Sequence, residues 1–129
     1  MHRILIVEDN ADDAILIQRA FHGNDFQFEA VTRAEDAVKK LIRAPSAKNS
    51  SELPSLILLD LSLPGMGGFE LIRALKEHPP TAKIPVVILT ASDREEDVAQ
   101  GYKWGAVKFL RKPLTPLLVG EIINDCLEK

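Results

Sequence analysis

The chain has 129 residues, 46% of them apolar and 27% charged, and a formal net charge of −3. This is the make-up of one globular domain with one buried core, and it offers no basic footprint for nucleic acid. No apolar run approaches the roughly 20 residues that cross a bilayer, MHRILIVEDN lacks the shape of a signal peptide, and one cysteine excludes an internal disulfide. A cytoplasmic protein with no membrane or nucleic-acid partner is expected.

Apolar runs and helical patterns alternate along the chain. Ile4 to Val7 reads as a buried strand, and Ala11 to Phe21 as a helix pairing Leu16 with Ala20 and Ile17 with Phe21. Phe26 to Val31 alternates as an exposed strand does, and Ala34 to Arg43 is helical, with Ala37, Val38, Leu41 and Ile42 on one face. Pro45 to Pro54 is polar and reads as a surface loop. Leu56 to Leu59 is a second apolar strand, Phe69 to Lys76 a helix, and Val86 to Leu89 a third apolar strand. A helix near Arg94 to Trp104, a strand over Val107 to Leu110 and a last helix over Leu114 to Leu127 follow, the last with Leu118, Ile122 and Cys126 in line. Continuous apolar strands separated by helices predict an α/β fold: a doubly wound, five-stranded parallel sheet with five helices. One domain over residues 1–129 is expected, with no repeat and no second domain.

In an open parallel sheet, ligands bind outside the carboxyl ends of the strands. Glu8 and Asp9 follow the first run, Asp60 the second strong run, Thr90 the third, and Lys112 the fourth. Taken singly, each has an ordinary explanation. An Asp or Thr closing a strand is usually a cap or turn former, a lone lysine is usually solvated, and Glu8 with Asp9 would favour the start of the next helix. The conjunction at four strand ends points further. Three close carboxylates cannot all stay ionised without a cation, and hard oxygen ligands suit Mg²⁺. A carboxylate can act as a nucleophile toward phosphorus, and phosphoryl transfer needs mainly positioning and charge neutralisation. Lys112 supplies positive charge, and the Thr90 hydroxyl a hydrogen bond.

The segments IVEDN (6–10), LLDLSLPGMGG (58–68), VVILTAS (86–92) and FLRKP (109–113) resemble the receiver domains of bacterial two-component response regulators. The resemblance runs from about Arg3 to Leu127 and implies a flavodoxin-like, receiver-type fold. REEDVAQGYKWGA, following IPVVILTAS, is similar to the single-domain regulators that partner bacterial phytochrome kinases.

The resemblance implies roles by position. Asp60 is the expected phosphoacceptor. Asp9, Asp60 and the Ser62 carbonyl are the expected Mg²⁺ ligands, with Glu8 holding the metal through water. Thr90 and Lys112 contact the phosphoryl group, Phe109 is the aromatic switch position, and the Lys112–Pro113 bond is cis. Three features depart from the family pattern. Phe109 replaces a frequent tyrosine, Gly67 stands where Asp often precedes Gly, and Pro45 to Pro54 is longer than in minimal receivers. Gly67 implies a small stability cost as a weaker cap.

The switch implied is local charge coupled to a distant face. Phosphorylation draws Thr90 inward, Phe109 follows, and the surface of the fourth helix, fifth strand and fifth helix changes. Val98 and Tyr102, four apart, would share a helix face there and offer a partner or dimer surface, with ordinary core packing the alternative for Val98. Ile15 is the expected contact for a sensor histidine kinase. A downstream protein target, a phosphotransfer protein or a second copy would receive the signal, because the expected chain carries no output domain. Ser62 and Ser92 flank the site and would tune hydrolysis. Cys126 is expected buried and inert; His2, His22 and His78 are expected at the surface.

Other functions remain open at this point. A phosphohydrolase with an aspartate nucleophile commonly has a second acid two residues on, where this chain has Ser62. A nucleotide or flavin binder would place glycines or hydroxyls after the first strand, where Glu8, Asp9, Asp12 and Asp13 repel an anion. An unphosphorylated scaffold would not need the intact acid set.

Overall fold

The computed structural model describes residues 2–21, 26–43, 53–61, 67–91 and 94–127. Five strands and five helices alternate: β1 (His2–Val7), α1 (Ala11–Ala20), β2 (Phe26–Val31), α2 (Ala34–Val38), β3 (Leu56–Leu59), α3 (Gly68–Glu77), β4 (Val86–Thr90), α4 (Glu95–Trp104), β5 (Lys108–Arg111) and α5 (Pro116–Ile122). A wider π-helical turn continues α2 over Lys39–Arg43, and another continues α5 over Ile123–Leu127. Ser62, Ser92, His22 and most of the Pro45 to Pro54 stretch lie outside the described residues.

The strands form one parallel sheet in the order β2-β1-β3-β4-β5. Its three central strands are apolar on both sides because helices cover both faces. Leu5, Val7, Ile57, Leu59, Val86 and Ile88 point to one layer, where Ala37, Leu41, Leu71, Ile72 and Leu75 of α2, its extension and α3 meet them. Ile4, Ile6, Leu56, Leu58, Val87 and Leu89 point to the other, against Ala14 and Ile17 of α1 and Val119 and Ile122 of α5. The period-2 alternation of side chains thus divides each apolar run between two cores.

Local chemistry sets the helix ends. The Asp13 N–H donates to the Asn10 side chain at 3.1 Å, and the Leu118 N–H donates to the Thr115 hydroxyl at 3.3 Å ahead of Pro116. Gly67 caps α3 with no side-chain hydrogen bond. Gly105 ends α4 at a φ of 117°, the left-handed conformation that glycine adopts freely. Gly101 lets α4 approach the sheet, since a Cβ there would lie 2.7 Å from Ile88 Cδ1 and 3.1 Å from Phe109 Cδ2.

Two helix faces differ from the sequence expectation. On α1, Leu16 is 58% exposed whereas Ala14 is buried, so the buried stripe is Ala14, Ile17 and Phe21 rather than Leu16 and Ala20. On α5, Val119 and Ile122 face the core and Leu118 is only half-buried. In both helices the expected inward residues Ile17, Phe21 and Ile122 are buried, and a neighbouring apolar residue, Ala14 or Val119, takes the inward place expected of Leu16 or Leu118. Cys126 is half-buried against the α1–α5 layer instead of fully buried. His2 stacks beside Phe26 at 6.2 Å, and His78 follows α3 with its Nε2 buried, so neither is a plain surface residue. No helix among the described residues is long and apolar enough to cross a membrane.

The connection from α3 to β4 is tied by side chains. The fully buried Thr81 hydroxyl is set against the carbonyls of Leu75 and His78, at 2.7 and 3.1 Å. Lys76 Nζ donates to the Ala82 and Ile84 carbonyls, both at 3.1 Å, and its burial lowers the lysine pKa. Thr81→Val should therefore lower stability by about 1–2 kcal/mol, and Thr81→Ser by less than about 1 kcal/mol. Urea midpoints of the three proteins check this; equal midpoints for wild type and the valine variant would contradict it.

Candidate functional site

The sheet reverses its winding between β1 and β3, and the crevice at the carboxyl ends of these strands is where side chains can converge on a ligand. Backbone hydrogen bonds pin each residue leading into it. The Glu8 N–H donates to Val31 O at 2.9 Å, the Asp60 N–H to Val7 O at 3.0 Å, and the Lys112 N–H to Thr90 O at 2.8 Å. These bonds tie the end of β1 to β2, of β3 to β1 and of β5 to β4, and the β3–β4 pairing completes the register. Thr90 is the last residue of β4 and fully buried. The Lys112–Pro113 peptide bond is cis.

Carboxylate oxygens of Glu8, Asp9 and Asp60 lie within 4.8 Å of one another. Glu8 and Asp60 are buried, at 2% and 6% exposure, while Asp9 is exposed. Lys112 reaches into this group. Its Nζ donates to Glu8 Oε1, to Asp13 Oδ2 at 2.8 Å and to Asp60 Oδ2 at 3.0 Å. The ammonium places a positive charge among the buried acids.

Two opposing tendencies act on these groups. Burial pushes the Glu8 carboxyl up to about 7; the hydrogen bond from Lys112 opposes this, and the neighbouring Asp60 adds to it. Burial also works to lower the Lys112 pKa, but hydrogen bonds to Asp13, Glu8 and Asp60 reverse the effect and hold it above the ordinary lysine range. Lys112 is thus charged at any physiological pH, whereas Glu8 sits where a stronger cation would change its state. Glu8 Oε2 is buried with no hydrogen-bond partner among the described residues. An orphaned carboxylate oxygen beside two more carboxylates is the donor set of a hard divalent ion, so these residues fit a metal such as Mg²⁺.

Of the residues singled out in the sequence, Glu8, Asp9, Asp60 and Lys112 meet directly, and Thr90 joins them through the Lys112 backbone. Phe109 lies three residues before the lysine, half-buried, with its ring against Gly101. Ile15 and Tyr102 are 45% and 50% exposed, and Val98 is half-buried. The Tyr102 hydroxyl accepts the Phe109 N–H at 3.2 Å, so this phenol is tied to β5 rather than simply projecting from α4. Trp104, half-buried, packs on the α2–α3 layer, with the cations of Arg73 and Lys103 at 5.6 and 5.7 Å from its ring.

Sequence reasoning missed Asp13, which it had grouped with the anion-repelling acids. The readable signal was its place three residues after the capping Asn10, where a side chain turns back over the helix start. A cavity of about 540 Å³ lies away from the acids, between β1, β2 and the α2 extension. Lys40 in its wall is paired with Glu29, and Arg3 has a partner too, so no unpaired cation converges there.

The sequence was compared with known proteins. Residues 4–124 match the response regulator receiver domain family. The chain is 37% identical over 117 residues to the response regulator PleD of Caulobacter vibrioides, covering 91% of this chain but only 24% of PleD. It is 34% identical to the response regulator Rcp1 of Synechocystis sp., covering 84% of this chain and 75% of Rcp1. The Mn²⁺-bound structure of Rcp1 superposes with a TM-score of 0.83 at 32% identity, covering 100% of this chain and 96% of that one. The structure of phosphorylated RcpA, a cyanobacterial phytochrome response regulator, gives 0.84 at 31% identity, covering 98% and 94%. With the acid cluster, the lysine and the strand order already in place, the chain belongs to the response regulator receiver domain family.

Proposed function

We propose that this receiver domain is a phosphorylation switch whose acceptor is Asp60. The observation that carries the reading is the Lys112 ammonium shared between Asp60 and Glu8 where three acids converge. Nucleophile, electrophilic partner and metal ligands then occupy one small volume, as phosphoryl transfer requires.

In this reading an Asp60 oxygen attacks the phosphorus of a phosphohistidine on a sensor histidine kinase. The new O–P bond forms as the P–N bond breaks, and its electron pair stays on the imidazole nitrogen. Glu8, Asp9 and Asp60 would hold Mg²⁺, with the Ser62 carbonyl as a further donor, and the ion would supply positive charge to the transferring phosphoryl group. Lys112 neutralises a phosphoryl oxygen from the other side, and the Thr90 hydroxyl donates to another. Water later cleaves the acyl phosphate to carboxylate and inorganic phosphate, so the chain turns over its own phosphoryl group and no metabolite.

The inward movement of Thr90 opens room for the Phe109 ring, which lacks a hydroxyl and must switch through packing alone. The output face is that of α4, β5 and α5, with Val98 and Tyr102 on it, open to a downstream protein, a phosphotransfer protein or a second copy. Ile15 on α1 is the kinase contact. The likeness to RcpA, a phytochrome response regulator, favours a phytochrome-type kinase as the donor.

Incubation with acetyl phosphate and Mg²⁺ should raise the intact mass of the chain by one phosphoryl group. The gain should vanish in Asp60→Asn and in excess EDTA; a gain that survives Asp60→Asn would move the acceptor elsewhere. A second expectation follows from the crowding of the acids. Glu8→Gln removes a buried like charge, so in EDTA it should raise stability by about 1 kcal/mol, read from the urea midpoint. The same variant should weaken Mn²⁺ binding at least roughly tenfold. A variant that is destabilised, or that keeps full metal affinity, would contradict the role given to Glu8.

A further inference from the structure

An ammonium has three N–H donors, and all three of Lys112 are engaged: by Glu8, by Asp13 and by Asp60. Two of these acceptors are contested. Glu8 and Asp60 belong to the group of oxygens that fits a divalent ion, and a metal there competes with the ammonium for them. Asp13 lies outside that group and is the one partner the ammonium can keep. Its position is well set: it is the third residue of α1, and its own N–H is held by the Asn10 side chain at 3.1 Å. Its side chain is 35% exposed, against 1% for Glu8 and 7% for Asp60. A partly hydrated carboxylate costs less to keep ionised than a buried one, so Asp13 can serve as a standing counter-charge.

We propose that Asp13 is a positioning residue, which retains the Lys112 ammonium when a divalent ion takes over Glu8 and Asp60 and thereby raises the affinity of the site for that ion. The inference rests on the acid cluster being a metal site. Without Asp13, the ammonium has no equivalent partner on the α1 side among the described residues. It must stay among the metal ligands or go uncompensated, and either state opposes the metal. With Asp13, the lysine stays at the mouth of the site, charged and on a short tether, with donors free for an incoming phosphoryl oxygen.

The test is a double-mutant cycle on the full chain, with Mn²⁺ as probe and free Mn²⁺ read by electron paramagnetic resonance. Asp13→Asn keeps the shape of the side chain and leaves the Asn10 cap in place. It should weaken Mn²⁺ binding about fivefold in the wild-type background. Lys112→Ala should strengthen binding by removing the competing cation. On that background Asp13→Asn should change affinity by less than about twofold, because Asp13 acts through the lysine. Unchanged affinity in Asp13→Asn alone would overturn the proposal. An equal loss in both backgrounds would also overturn it, since Asp13 would then be a plain charge near the metal. If the unaltered chain bound no Mn²⁺, or if Asp9→Asn left binding intact, the metal site itself would fall and this inference with it.

Discussion

Like charges brought within a few ångström of each other, and away from water, need a cation among them. Glu8 and Asp60 are placed in that situation by the backbone, with the exposed Asp9 beside them, and much of the molecule serves to keep them there. The strand order seats β1 beside β3, so the acids that end these strands are neighbours in space though more than 50 residues apart in sequence. Lys112 arrives from the far edge of the sheet, carried past β4 by the hydrogen bond of its own N–H to Thr90. The apolar runs thus do two things. They fill both cores, and they fix the relative heights at which four strands end, which decides whether a lysine can reach three acids.

The parts of this arrangement that were readable from sequence share a physical origin. Central strands of a parallel sheet are buried on both faces, so Ile4–Val7, Leu56–Leu59 and Val86–Leu89 stand out as unbroken apolar runs. Polar residues directly after such runs have little freedom about where to go, and Glu8, Asp9, Asp60 and Thr90 were legible for that reason. Helix faces were less legible. In α1, Ala14, Ile15, Leu16 and Ile17 are consecutive apolar residues, and periodicity alone does not say which pair turns inward; packing against α5 and the sheet selects Ala14 and Ile17. Asp13 was hidden by its company. Beside Asp12 it reads as general negative charge at a helix start, and only the path of Lys112 across the sheet gives it a specific partner.

The second layer links the acid site to the surface through close packing rather than through further polar groups. Gly101 brings α4 against Ile88 and the Phe109 ring, so these three move as neighbours if any of them moves. Lys76 and Thr81 tie the connection between α3 and β4, and the Lys76 stem lies under Gly105 at the end of α4. The Phe109 ring is thereby packed against α4, whose end meets the Lys76 stem fixed on the α3 side.

That free edge carries its own safeguard. A strand at the margin of a sheet offers unpaired N–H groups to any other strand that comes by, the usual route to fibrous assembly. On β5 the Tyr102 phenol already occupies the Phe109 N–H, and on β2 at the opposite margin the exposed Glu29 is held in an ion pair by Lys40. Sheet extension would have to dislodge an aromatic ring on one border and bury a charged pair on the other. Backbone zippering of one copy onto another is thereby opposed at both margins of the sheet.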